Sequence, residues 1–343
     1  MRRLPVYLLI DTSESMIGQA IEAVRTGLGT MLSALRKNPY ALEMGALGVI
    51  TFGGTARKVT PLTEVYAFQQ PDLEVKPGTM LGGAISLLDQ AISTEIVRTT
   101  PDRKGDYKPL VFVLTDGQPT DEWRSAFHHF KQNHKSVVLY AIGCGNDVDF
   151  TILKELTENT YSMEQMDADA FAKLFVCISS SITSASGAIG DQGKQGGAIN
   201  LEKDAGGTIR KIEKAETIGS RKQRQVFIPG VCQKTRKPYL LRYRWNDEDG
   251  CYQCMAGHKL EKAFSREETG AIETVSSSEL QGLVPCPHCG NEGHGRCDCG
   301  TVTCYALGKG FNSMFGTKVC CPGCGKIGHM ASGGVFNVGQ SRG

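Results

Sequence analysis

Two apolar runs, each stopping at an aspartate, constrain this chain more than any other feature. Val6 to Ile10 breaks off at Asp11, and Leu110 to Leu114 breaks off at Thr115-Asp116-Gly117. Runs this short, bounded by turn residues, read as strands buried on both faces. Helical patterns alternate with them. Ile17 to Leu35 carries Ile21, Val24, Leu28, Met31, Leu32 and Leu35 at helical spacing, and Asn38-Pro39 ends it. Leu42 to Phe52 reads as a strand, Gly53-Gly54 as a turn, and Ala56 to Leu62 as an antiparallel edge strand. Leu81 to Val97, Glu122 to Asn133, Phe150 to Thr157 and Asp169 to Ser181 read as helices, with a buried strand from Ser136 to Ile142. The alternation predicts a doubly wound α/β domain, a mostly parallel sheet with helices on both faces. Ligands of such sheets sit beyond the carboxyl ends of the strands, where Asp11 and Asp116 fall.

Around those two carboxylates the sequence supplies more oxygen. Ser13 and Ser15 follow Asp11, and Thr79 stands just before the Leu81 helix. Two carboxylates and three hydroxyls form a hard-oxygen set suited to Mg²⁺ or Mn²⁺. The plainer alternative for Asp11 to Ser15 is a turn that caps the next helix. His128, His129 and His134 read as surface residues of a solvated helix, and Cys144 as a small residue at a tight strand exit. Gly78 to Gly83 lacks the Lys-Ser/Thr ending of a phosphate loop.

Cysteine usage divides the chain. Of 13 cysteines, only Cys144 and Cys177 precede Cys232. Between them, residues 185–225 are rich in Gly, Ser, Lys and Gln and read as a flexible linker, although Ile199 to Ile218 can order against a neighbour. That gives a first domain over 1–184 and a cysteine-rich domain over 226–343, expected to be small, β-rich and similar to a zinc ribbon. Cys286-Pro-His-Cys289-Gly and Cys321-Pro-Gly-Cys324-Gly are two copies of one turn, and two such knuckles make a tetrahedral Cys₄ zinc site. The surplus thiols call for a second zinc. Cys232, Cys251, Cys254 and His258 form one candidate set, with Cys297, Cys299 and Cys304 competing; Cys320 reads as a spectator. No apolar run reaches membrane-spanning length and no leader precedes the first strand, so the cytoplasm is the expected location, where thiols stay reduced. A net charge of +2 gives no reason to expect nucleic acid.

Asp11-Thr-Ser13-Glu14-Ser15, Gly78-Thr79 and Leu114-Thr115-Asp116-Gly117 resemble the metal-ion-dependent adhesion site of von Willebrand factor A domains, over roughly residues 4–184. The resemblance implies that Asp11, Ser13, Ser15, Thr79 and Asp116 ring one divalent cation, completed by an acidic residue of a partner protein. Glu14 stands where these domains carry glycine, and is expected to point to solvent. With the run Asp116-Gly-Gln-Pro-Thr-Asp-Glu-Trp123 and the cysteine-rich module, the chain resembles the TerY-type tellurium-resistance proteins. That resemblance implies a bacterial cytosolic scaffold of tellurite and stress responses, linked with a protein kinase and a metal-dependent phosphatase. The sequence leaves two rivals. One is a metal-dependent hydrolase using Asp11 and Asp116, for which Arg57 and Lys58 are the only nearby basic residues. The other is nucleic-acid binding by a zinc ribbon bearing Arg296, Lys309, Lys318 and Lys326.

Overall fold

The computed structural model describes residues 2–116, 118–146, 148–192, 201–202, 207–213, 224–264, 274–306, 317–330 and 337–339. Gly117 and Lys309 therefore lie outside the described residues. The chain divides into two compact units, Met1–Gly219 and Ser220–Gly343.

In the first unit, strand β1 (Leu4–Asp11) leads through one 3₁₀ turn (Glu14–Met16) into α1 (Gln19–Lys37) and α2 (Pro39–Met44). Then come β2 (Gly45–Phe52), β3 (Ala56–Glu64), α3 (Leu81–Glu95), β4 (Leu110–Thr115), α4 (Arg124–Asn133), β5 (Val138–Cys144), α5 (Phe150–Leu156), β6 (Thr160–Met163), α6 (Ala168–Gln192) and β7 (Arg210–Lys211). The sheet order is β3-β2-β1-β4-β5-β6-β7. Strands β2, β1, β4, β5 and β6 run parallel, while the edges β3 and β7 are antiparallel.

The apolar runs are continuous because each face of the sheet carries its own core. Val6, Leu8, Ile10, Phe112 and Leu114 pack with Val24, Leu28 and Phe175 on one side. Tyr7, Leu9, Val111 and Val113 pack with Leu81, Leu88, Trp123 and Phe127 on the other. Consecutive strand residues thus serve opposite cores, as the period of two requires.

The stretch expected to be a linker is in part a component of this unit. Helix α6 runs on to Gln192, β7 adds to the sheet edge, and Leu201 and Ile209 are buried in the first core. Spaced apolar residues in a Gly- and Lys-rich background show no periodicity, which is why the sequence hides this return. Strand β6 was equally hidden: Thr-Tyr-Ser-Met carries too little apolar character.

The second unit contains β8 (Gln225–Val231), β9 (Pro238–Asn246), β10 (Cys251–Lys259), β11 (Thr274–Ser276), β12 (Leu280–Gln281), β13 (Gly293–Arg296), β14 (Val302–Tyr305), β15 (Thr317–Cys320), β16 (Ile327–Met330) and β17 (Asn337–Gly339). A six-stranded sheet runs β12-β10-β9-β8-β14-β13, and β11–β17 and β15–β16 form two-stranded sheets. Its core is thin: Val226, Ile228, Tyr239, Leu241, Tyr243 and Val302, with Cys232, Cys286 and Cys304 among them.

Candidate metal centres

Strand ends build the oxygen site. Asp11 closes β1 and Asp116 follows β4, its neighbour in the sheet, so both carboxylates leave the sheet side by side. The Ser13 N–H donates to Asp11 Oδ1 at 2.9 Å, and the Thr115 hydroxyl donates to Asp11 Oδ2. The Ser13 and Ser15 hydroxyls share a hydrogen bond at 2.8 Å, and Ser15 Oγ donates to Asp116 Oδ1 at 2.6 Å. All of these groups are buried. Burial first, and the Asp116 carboxylate second, push Asp11 up to about 7. Two carboxylates sharing a dry site favour a proton or a cation between them.

Thr79 is held at this site by the loops around it. Its N–H donates to Thr120 Oγ1 at 3.0 Å, and the Thr120 N–H donates back to Thr79 O at 3.0 Å. Asp121 accepts from the N–H groups of Gly82 and Gly83, capping α3 from another loop. A Cβ on Gly82 would lie 2.7 Å from Glu122 O, so this approach requires glycine. The Asp-Gly-x-Pro-Thr-Asp-x-Trp run therefore works as a brace for Thr79, a role its sequence does not announce. The Thr79 hydroxyl is 1% exposed and its Oγ1 has no hydrogen-bond partner among the described residues. A buried, unpartnered hydroxyl oxygen of this kind, next in sequence to the Gly78 N–H that Glu14 binds, is a donor that a hard divalent cation would accept.

Glu14 corrects the sequence expectation. It is 1% exposed rather than solvent-facing, and its Oε2 accepts from the Gly78 N–H at 2.6 Å. The 3₁₀ turn at Glu14–Met16 swings the side chain inward, where it ties the Ser13–Ser15 loop to the loop bearing Thr79. Of the two basic residues the sequence offered, Arg57 pairs with Glu74 at 3.3 Å and Lys58 with Glu95 at the far end of α3; Lys76, whose N–H donates to Thr12 O at 2.8 Å, pairs with Glu74 at 3.9 Å. Cys144 is buried, and burial together with the Asp116 and Asp11 carboxylates raises its thiol pKa, which makes it inert. His134 is less exposed than expected: its side chain is buried against Phe130 and pairs with Asp89 at 3.0 Å.

The sulfur sites are assembled differently from the sequence expectation. Cys286, Cys289, Cys321 and Cys324 do not meet as one set. Cys286 and Cys289 join Cys232 and Cys304; Cys321 and Cys324 join Cys297 and Cys299. Within each group the sulfurs lie within 4.8 Å of one another. Zn–S bonds of about 2.3 Å place tetrahedral sulfurs about 3.8 Å apart. Observed separations are 3.5 Å for Cys289–Cys304, 3.9 Å for Cys304–Cys232, 3.7 Å for Cys297–Cys324 and 3.6 Å for Cys299–Cys321. Both groups fit zinc.

Backbone explains the grouping. The Gly290 N–H donates to Cys286 O and the Cys286 N–H to Asn291 O; Gly325, Cys321 and Lys326 repeat this at the other knuckle. Cys232 heads a third copy, in which the Arg236 N–H donates to Cys232 O and the Cys232 N–H to Lys237 O. Here Thr235 takes the place of the second thiol, and Arg236 adopts the left-handed conformation (φ 59°) that glycine has in the others. Strand β14 then pairs parallel with β8, Val302 beside Gly230, and delivers Cys304 to Cys232. Cys251, Cys254 and His258 belong to neither group, so the candidate set built on them does not form. Cys320 also stands outside both.

Charge supports the assignment. Cys232 is lowered to about 6: burial opposes this, but hydrogen bonds from the Thr235 side chain and N–H outweigh it. Cys299 is lowered to about 6 by the Thr301 hydroxyl and N–H. Burial, with Cys286 and Cys289 alongside, raises Cys304. One ready thiolate among reluctant neighbours is how four thiols share charge until a cation binds them.

The von Willebrand factor type A domain model matches residues 6–175 and the TerY-C metal binding domain model matches residues 222–343. The chain carries a von Willebrand factor type A domain followed by a TerY-C metal binding domain. Human inter-alpha-trypsin inhibitor heavy chain H6 is 27% identical over 171 residues, 44% of this chain and 12% of that protein. Proximal thread matrix protein 1 from the mussel byssus has 16% identity and a TM-score of 0.40, over 52% of this chain and 47% of that one. The ArnB paralog VWA2 from Sulfolobus acidocaldarius has 19% identity and a TM-score of 0.39, over 52% and 45%. The chain thus spans about an eighth of the curated relative's length, 12%, and under half of these two solved chains. Likenesses of this size carry no function to it. Von Willebrand factor type A and TerY-C domains are interaction and metal-binding modules, not catalytic ones. Among the described residues, no helix is long and apolar enough to cross a membrane.

Proposed function

We propose that this protein is a cytoplasmic, metal-dependent adaptor. Its von Willebrand factor type A domain binds Mg²⁺ or Mn²⁺ through Asp11, Ser13, Ser15, Thr79 and Asp116 and captures an acidic residue of a partner protein at the open position of the ion. The observation that carries this reading is the buried Thr79 hydroxyl, without a partner among the described residues, on the loop that Glu14 ties to the Ser13–Ser15 turn. Mg²⁺ gives up its waters reluctantly, so a coordination position not filled by protein stays available to a ligand. The TerY-C domain holds two zinc ions, one in each cysteine group, and presents a second surface or fixes geometry. The resemblance to TerY-type proteins extends the partners to a protein kinase and a metal-dependent phosphatase in a tellurite and stress response.

The test is capture. Immobilised protein with Mn²⁺ should retain its partner from the native host, and chelator or Asp116→Ala should release it. Unchanged capture by Asp116→Ala would sink the reading. The hydrolase alternative needs a positioned base and a basic clamp. Arg57 and Lys58 are engaged with Glu74 and Glu95, so the purified protein should show no cation-dependent phosphatase or nuclease turnover.

A further inference from the structure

The two cysteine groups meet solvent in different ways. Cys232, Cys286 and Cys304 are buried within the core of the second unit, among Val226, Tyr239 and Leu241. In the other group only Cys321 is buried; Cys299 and Cys324 are exposed and Cys297 is half-buried. Their scaffolds differ as well. The first group draws on the β8–β9 turn, the Cys286 turn and β14, three separate places in the chain, two of them tied to the six-stranded sheet. The second is a clasp between just two turns, β13–β14 and β15–β16.

Little besides metal holds that clasp shut. Strands β15 and β16 pair with each other and with no other strand among the described residues. Val319 is buried, whereas Ile327 is 64% exposed. A lone two-stranded hairpin is marginal in water. The contact between the two turns is close: a Cβ on Gly323 would lie 2.1 Å from Thr301 Oγ1, an oxygen that is itself 3.3 Å from Cys299 Sγ. The knuckle therefore seats directly on the β13–β14 turn when the four sulfurs converge.

We propose that the Cys297–Cys299–Cys321–Cys324 group is an exchange site for soft, thiophilic divalent cations, and that its ion is the latch that docks the β15–β16 hairpin. The proposal rests on the reading that both groups hold metal. Exchange starts at the exposed thiolates: an incoming ion takes Cys299 and Cys324 while the resident ion still holds Cys297 and Cys321. One divalent ion enters as one leaves, with no net transfer of electrons or protons. The other group has three buried sulfurs and only Cys289 half-buried, so an incoming ion must open the core to gain a second ligand, and the resident ion is permanent on the same timescale.

The experiment uses the full zinc-loaded chain with Cd²⁺ as probe. Zinc release to a dye and thiolate-to-cadmium absorption are followed together, after the zinc content has been counted. Two zinc ions per chain are expected, one leaving at least tenfold faster than the other. Cys299→Ser should carry one zinc and show only the slow phase. Partial metal removal should raise amide hydrogen exchange across residues 317–330 and leave residues 225–246 protected, a readout that does not depend on any variant folding. Equal release rates, a fast phase surviving in Cys299→Ser, or loss of protection in both segments together would overturn the exchange site. Fewer than two zinc ions in the wild-type chain would instead overturn the two-metal reading beneath it.

Discussion

Thr79 shows most directly what a single residue does in this site. Its hydroxyl forfeits hydrogen bonds in the folded chain without an ion, which costs on the order of 1–3 kcal/mol for a buried polar group. Thr79→Val keeps the shape and removes that cost. The cation-free domain should therefore melt at the same temperature or higher, while Mn²⁺ affinity falls at least about tenfold, the equivalent of roughly 1.4 kcal/mol. Calorimetric titration and a thermal melt decide it; a destabilised but binding-competent variant would mean the hydroxyl is structural. Asp11 makes a second residue-scale prediction. Its pKa is about 7 in the folded domain against an ordinary 3.8. Between those values the unfolded chain has released a proton that the folded chain keeps, so cation-free stability falls as pH rises through this window and levels off above it. A cation needs the carboxylate, so Mn²⁺ affinity should drop on the order of 30-fold from pH 8 to pH 5.5, one power of ten per pKa unit below 7. Flat affinity over that range would remove Asp11 from the ligand set. Asp11, Ser13, Ser15 and Asp116 could be read from the sequence as one cluster because they follow two strands that end side by side, and the structure joins them by hydrogen bonds; Thr79 entered the proposed ligand set through the family resemblance. Glu14 could not be placed this way, because an extended chain would turn it outward and only the 3₁₀ turn brings it in.

Among the elements, α3 is the one the oxygen site leans on. Its first turn has no cap of its own; Asp121 supplies one from the loop after β4. Asp121→Ala should cost on the order of 1 kcal/mol, as loss of a helix cap does, and also loosen Thr120 and Thr79. The expected result is a modest fall in melting temperature with a larger fall in Mn²⁺ affinity, and Asp121→Asn should recover part of both. A stability loss with unchanged affinity would separate the brace from the site. The main strands and helices of the first unit were readable from helical period and from the length and flanks of the apolar runs; the strand expected from Leu42 starts only at Gly45, because Asn38 accepts from the Ala41 N–H and caps the short helix α2 over Pro39–Met44. Strands β6 and β7 were not readable, being four and two residues long and held by pairing rather than by their own character. The cysteine knuckles were readable as ligand-bearing turns, but not their partnership. Which knuckle meets which is decided by β14 lying beside β8, a long-range pairing that no local spacing encodes.

At the scale of the molecule, the two units draw stability from different sources. The first has a buried sheet with a separate apolar core on each face. The second counts three cysteines among the buried residues of the apolar cluster its described residues form, so that core is completed by the atoms that would hold metal. Structural zinc contributes on the order of 10–16 kcal/mol of apparent binding energy, comparable to the whole stability of a small domain. Without it, four thiols packed together have each other and a few hydrogen bonds, such as those from Thr235 N–H to Cys232 and from Asn291 to Cys304, in place of a cation. Exhaustive chelation under reducing conditions should therefore unfold residues 224–339 as they are described, and leave the melting of the first unit unchanged. Cys304→Ser should reproduce that loss at one position, because Cys304 is fully buried beside Cys232 and its strand anchors the sheet. The check is limited proteolysis followed by mass analysis of the surviving fragment. A protected fragment ending near Gly219 is expected after chelation. If the second unit stays protease-resistant after both metals have gone, its core is sufficient alone, and the cysteine groups serve chemistry rather than folding.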